Sequence, residues 1–147
     1  MTLSEEVKDK VTQQYGHQAI IVDWDRIVDE LSQSFEWAGS KIRWSKVNEH
    51  KSLKLNGGYE DWIEQIISFI SDSVIRNAIN ESDGLYYIND SSLDYSIFIQ
   101  PSQFCDFMKY AIKNIPQHHY FTDAQKKWCL VVSSEGYIDF GFSNQRF

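Results

Sequence analysis

WCLVVSSEGYIDFGF, residues 128–142, is two apolar runs separated by a polar turn, and it sets the fold class. Ser133-Ser134-Glu135-Gly136 joins the runs, and the glycine can take the positive φ that a tight hairpin turn requires. A similar pair, LYYIN (85–89) and LDYSIFIQ (93–100), flanks Asp90-Ser91-Ser92. Strands that arrive as adjacent hairpins predict antiparallel pairing. Between the two pairs, Phe104, Phe107, Met108, Ala111, Ile112 and Ile115 recur at helical spacing and predict a helix over 101–114.

Toward the N-terminus the pattern is mostly helical. Residues 59–80 give the longest periodic run, with Trp62, Ile63, Ile66, Ile67, Ile70 and Val74 on one side. Glu60, Asp61 and Glu64 lie in its first turns, where the helix dipole favours negative charge. Trp24, Ile27, Val28, Leu31 and Phe35 predict another helix, with Asp23 as N-cap and Gly39 as a stop. Residues 3–15 predict a short helix, and AIIV (19–22) reads either as a strand or as an apolar lead-in. KIRWSKV (41–47) alternates like a half-buried strand, and SLKL (52–55) is placed beside it. With no repeat or linker in sight, residues 1–147 are expected to form a single α+β domain, antiparallel β-hairpins making a sheet packed against several α-helices.

IPQHHYFTD (115–123) holds two of the four histidines side by side. Neighbours in a strand face opposite ways, and the i, i+4 spacing that puts two imidazoles on one helix face is absent. No HExxH, CxxC, Gly-rich phosphate loop or nucleophile elbow occurs. The stretch therefore reads as a loop after a helix. The competing reading is a small metal-dependent hydrolase that uses His118 or His119 with nearby carboxylates. His17 and His50 read as isolated surface or capping residues, and Cys105 and Cys129 as buried free thiols. No catalytic residue, cofactor or metal ligand is assigned, and the chain is read as a binding protein rather than an enzyme.

Charge is more telling. The net charge is -7, yet residues 60–106 carry nine acids against one base, while 41–54 carries Lys41, Arg43, Lys46, Lys51 and Lys54 against Glu49. Concentrated negative charge repels phosphate backbones and attracts basic proteins. Asp72, Glu81, Asp83, Asp90 and Asp94, interleaved with Tyr86, Tyr87 and Tyr95, are the candidate partner-binding residues, because aromatic anchors inside a charged rim suit an interface. Packing under the sheet is the competing role for the tyrosines. The aromatic share of 15% exceeds what one core usually needs, which also points to rings at the surface. The N-terminal stretch lacks the apolar segment of a signal peptide and no run is long enough to span a bilayer, so a cytoplasmic location without membrane contact is expected.

The acid-rich 60–106 segment, the small Trp- and Tyr-rich α+β chain and the closing WCLVVSSEGYIDFGF hairpin resemble the bacterial immunity proteins of contact-dependent growth inhibition systems. That resemblance implies binding to a cognate, cationic toxin domain, often a nuclease, and blockade of its active site or substrate path. Nucleic acid is not the implied partner. A third possibility is an adaptor that uses the same surface on an uncharged partner.

Overall fold

The computed structural model describes residues 1–89 and 91–144. Numbered along the chain, the strands are β1 (Ile20–Ile21), β2 (Trp37–Ala38), β3 (Lys41–Ile42), β4 (Asn48–Lys54), β5 (Leu85–Ile88), β6 (Ser96–Ile99), β7 (His119–Asp123), β8 (Trp128–Val132) and β9 (Tyr137–Phe142). The helices are α1 (Leu3–Tyr15), α2 (Trp24–Ser34), α3 (Tyr59–Ile70), α4 (Ser73–Asn80) and α5 (Phe104–Asn114). Seven strands make one antiparallel sheet in the order β1-β6-β5-β7-β8-β9-β4, and β2 and β3 pair apart as a small ribbon. The chain is α+β.

Pairing register carries the side chains across the sheet in rows. One row runs Ile20, Ile97, Tyr87, Phe121, Leu130, Phe140, Lys51. The next residue on each strand faces the other way, giving the row Ile88, Tyr120, Val131, Asp139, Ser52. The first row lies beneath α1, α3, α4 and α5, in a core that includes Val7, Ile66, Ile75, Phe104 and Phe107. Among the described residues the second meets α2, the β2–β3 ribbon and the segment that follows it, in a smaller core of Ile27, Leu31, Phe35, Ile42, Ile88, Tyr120, Cys129 and Val131. We call these the inner and outer faces.

Several local expectations shift for identifiable reasons. The long 59–80 helix is two helices, because the Asp72 carboxylate caps a new start, accepting from the N–H groups of Val74 (3.0 Å) and Ile75 (3.2 Å). The 41–47 segment is not one strand. It contributes the two residues of β3 and then a 3₁₀ turn over Trp44–Lys46, while residues 52–55 fall mostly in β4, whose partner is β9. Gly39 ends no helix: α2 stops at Ser34, and Gly39, at φ 66°, turns the β2–β3 ribbon instead. Asp23 occupies the N-cap position of α2, but its carboxylate bonds Arg26 rather than the backbone. Residues 101–103 form a 3₁₀ turn ahead of α5. His119 is the first residue of β7, a central strand, not part of a loop. Cys129 is buried as expected, whereas Cys105 is exposed on the first turn of α5; neither forms a disulfide.

Glycine permits two close fits. Gly136, at φ 93°, closes the β8–β9 turn. A Cβ at Gly141 would sit 2.1 Å from Val47 Cγ1, so the absent side chain lets the segment after β3 lie against the outer face of β9.

Candidate functional site

The structure distributes the predicted partner-binding residues widely. Tyr87 is 0% exposed in the inner row, its hydroxyl 2.7 Å from His119 Nδ1, and burial pushes its pKa up. Tyr95 is buried too, its hydroxyl donating to the Ser4 carbonyl (2.5 Å), and burial raises its pKa to about 12. Neither ring can meet a partner in this fold. The reason is the two-residue alternation of β5 and the tuck of residue 95 under α1, which put apolar-bodied rings where apolar area is removed from water. Tyr86 faces outward but lies beneath Lys126 Nζ, 4.8 Å from its ring centre, and beside Phe98.

The carboxylates separate as well. Glu81 and Asp83 are exposed ahead of β5, and Asp94 is exposed past its other end, where the Ser4 hydroxyl donates to it. Asp72 caps α4 and faces Lys51 Nζ at 3.6 Å; the Ile75 N–H chiefly holds its carboxyl below the usual range. Asp90 lies outside the described residues.

What the structure does assemble is a cleft on the outer face that no single stretch of sequence announces. The row Tyr120–Val131–Asp139 forms its floor across β7, β8 and β9. Trp44 and Lys41, from the crossing segment, form one wall, and His118, Glu135 and Tyr137 close the others. Its volume is about 140 Å³, room for one side chain and well below the roughly 300–1,000 Å³ of small-molecule sites.

The polar groups here are already partnered. Lys41 pairs with Glu135, and that hydrogen bond holds the Glu135 carboxyl below its usual range. His50 Nε2 lies 2.8 Å from Asp139 Oδ1, and Trp44 stacks on the His50 ring at 5.0 Å. The Ser134 N–H donates to His118 Nδ1 (3.1 Å), which puts the proton of the neutral ring on Nε2. Charges neutralised by neighbours inside an aromatic pocket suit recognition more than proton transfer.

His118 and His119 take opposite sides. His118 lines the outer cleft, while His119 is buried against Tyr87, and burial followed by the nearby His118 drives its pKa down to about 4. No one site can use both. The Cys129 thiol is fully buried and its pKa is pushed up by that burial, so it is held as the unreactive thiol. Among the described residues no three His, Cys, Asp or Glu side chains gather as metal ligands, and no helix is long and apolar enough to cross a membrane.

Sequence reasoning missed Trp44, Tyr137 and Asp139 as companions of His118. One signal was present: in YIDFGF, Tyr137 and Asp139 alternate with Ile138 and Phe140, so the acid had to share the outer face with the tyrosine. Comparison of the chain with known protein families and with curated proteins gave no match.

Proposed function

We propose that this chain is an immunity-type binding protein that acts in the cytoplasm and neutralises a cognate, basic toxin domain by covering its active site or substrate path. The outer cleft is the observation that carries this reading. A pocket sized for one side chain, walled by Trp44 and Tyr137 over a floor that includes Tyr120 and rimmed by the Lys41–Glu135 pair, has the make-up of an interface hot spot. An aromatic or aliphatic residue of the toxin fills it. The exposed acids, Glu81, Asp83 and Asp94 among them, act at longer range and do not need to cluster, since the field of a chain with net charge -7 speeds encounter with a cationic partner. Lys41 at the cleft rim is paired with Glu135, so the basic 41–54 segment sets little uncompensated positive charge against a cationic toxin at the pocket itself.

The test starts from the adjoining reading frame. It is expected to encode a protein ending in a basic toxin domain whose growth arrest is relieved by co-expression of this chain. Purified, the two form a stable complex, and Trp44→Ala with Tyr137→Ala raises the dissociation rate by at least tenfold, the scale of a hot-spot truncation. Reversing Asp83, Asp90 and Asp94 to lysine slows association at low salt, by roughly tenfold, and leaves dissociation nearly unchanged. A neighbouring product that this chain neither binds nor neutralises would sink the reading.

A further inference from the structure

A second concavity on the outer face shares only Tyr120 with the cleft and differs from it in chemistry. It lies between α2 and the β2–β3 ribbon, and its volume of about 390 Å³ falls within the roughly 300–1,000 Å³ of small-molecule sites. Val28, Leu31 and Ile88 give it apolar walls, Trp37 and Tyr120 add rings, and Ser32 stands at its rim. No carboxylate, ammonium, guanidinium or imidazole lines it among the described residues.

Trp37 adds an independent observation. Its indole Nε1 is buried out of reach of water and has no hydrogen-bond partner, and it is the one buried side-chain nitrogen or oxygen so placed among the described residues. A buried donor without an acceptor carries its full desolvation penalty, so such a group in a folded protein calls for a reason. The ring belongs to the groove wall. It is carried by a ribbon of two paired residues on each side, turned at Gly39 and anchored by the buried Ile42. The ring lies beside Tyr120, 6.1 Å between centroids, and a turn of the indole toward the groove would offer its N–H to an occupant.

We propose that this groove binds a neutral, mainly apolar small molecule that carries one carbonyl-type oxygen, and that the Trp37 indole donates to that oxygen. The absence of charge in the lining selects against acids and amines, whose desolvation nothing in the groove would offset. The apolar walls supply most of the affinity and the indole donor fixes orientation. This site is separate from toxin capture and stands or falls without it.

The test uses 2-nonanone as probe and two-dimensional ¹H–¹⁵N NMR of the full chain. The Trp37 indole cross-peak is identified by its loss in Trp37→Phe. It is expected to move downfield and saturate with the probe, as an unbonded N–H does on gaining an acceptor. Trp37→Phe keeps a ring in the wall but binds the probe roughly two- to tenfold more weakly, the worth of one hydrogen bond. Ser32→Trp, an exposed substitution that leaves the ribbon untouched, blocks the groove and abolishes binding. Absence of a saturable shift, equal affinity in Trp37→Phe, or binding that survives Ser32→Trp would each overturn the proposal.

Discussion

Two rows of side chains one residue apart along the same strands lead opposite lives. The inner row is wholly buried from Ile97 through Phe140 and is clamped by four helices. The outer row starts buried at Ile88 and reaches open solvent at Ser52, passing under one helix, a small ribbon and then the cleft. One face is fully covered and the other keeps open surface beside its smaller core. The division follows from chain order: α1, α3, α4 and α5 all return to the same side of the sheet, leaving α2 and residues 36–47 to cover the other.

The sharpest way to break this contrast is to truncate one buried residue in each core. Phe121 is 0% exposed and packs against Tyr87, Phe104 and Phe107 at ring separations of 4.9 to 6.2 Å. Phe121→Ala is expected to lose about 3–5 kcal/mol, since neighbours on both sides hold the cavity open. Leu31→Ala, beside the groove, should lose only about 2 kcal/mol, because water can enter the space it leaves. Urea unfolding of both variants measures the difference, and equal losses would erase the distinction between the faces.

A second probe uses pH and centres on the inner face. His119 has a folded-state pKa lowered to about 4 from 6.5, so between those values the unfolded chain binds the proton and the folded chain does not. Stability therefore falls as pH drops from about 6.5 to about 4, by on the order of 3 kcal/mol at the acid end, and flattens below it. His119→Gln keeps a hydrogen-bonding group for the Tyr87 hydroxyl without titrating, and should remove most of that slope. Thermal melts across this range decide the matter; an unchanged slope would mean that the carboxylates dominate.

A weaker test concerns what fastens α2 to the outer face. Lys126, 2% exposed and at φ 55°, reaches Glu30 Oε2 at 2.6 Å, the Ala124 carbonyl at 2.9 Å and the face of Tyr86. The pair is lopsided, with side-chain exposures of 3% for Lys126 and 40% for Glu30. Glu30→Ala strands a buried ammonium and should cost about 2 kcal/mol, less than the ~3–5 kcal/mol of a fully buried pair because water reaches the carboxylate side. Lys126→Met leaves an accessible carboxylate that Arg26 still pairs at 2.8 Å, and should cost under about 1 kcal/mol. If the order were reversed, the ion pair would not be what holds α2 in place.

How far the sequence discloses this arrangement depends on the face. Inner-face elements are legible because each is locally strong: the 128–142 hairpin and the 3–15 helix appear at the read positions, and the periodic run of α5 does so within a few residues. The outer face is built from weak local signals. Residues 41–47 alternate like a strand, yet β3 keeps only two of them, because Trp44 stacks on His50 and Val47 packs over Gly141, contacts made across the fold. The break between α3 and α4 was visible as Ser71-Asp72-Ser73 and was overridden by the apolar period on either side. Tyrosines interleaved with acids looked like a binding patch, but composition cannot say which ring a helix will cover. Tyr87 and Tyr95 went under, while Tyr137 stayed 41% exposed.

The smallest expected change in stability is also the most informative about function. Tyr137 stands on the outer face of β9 and Trp44 on the turn opposite, neither inside a closed core. Tyr137→Ala should alter folding stability by about 0.5 kcal/mol or less, as for most surface substitutions away from caps and networks. Trp44→Ala should do somewhat more, because it releases the stacked His50 ring. Residues kept for folding show their worth in the isolated chain, whereas residues kept for a partner show it only when the partner is present. Such a neutral loss of a large ring, on the side of the sheet that the described residues leave partly open, would support the proposed recognition surface. If denaturation instead showed Tyr137→Ala to be as damaging as Phe121→Ala, the cleft would be a piece of core, and the two faces would differ in degree alone.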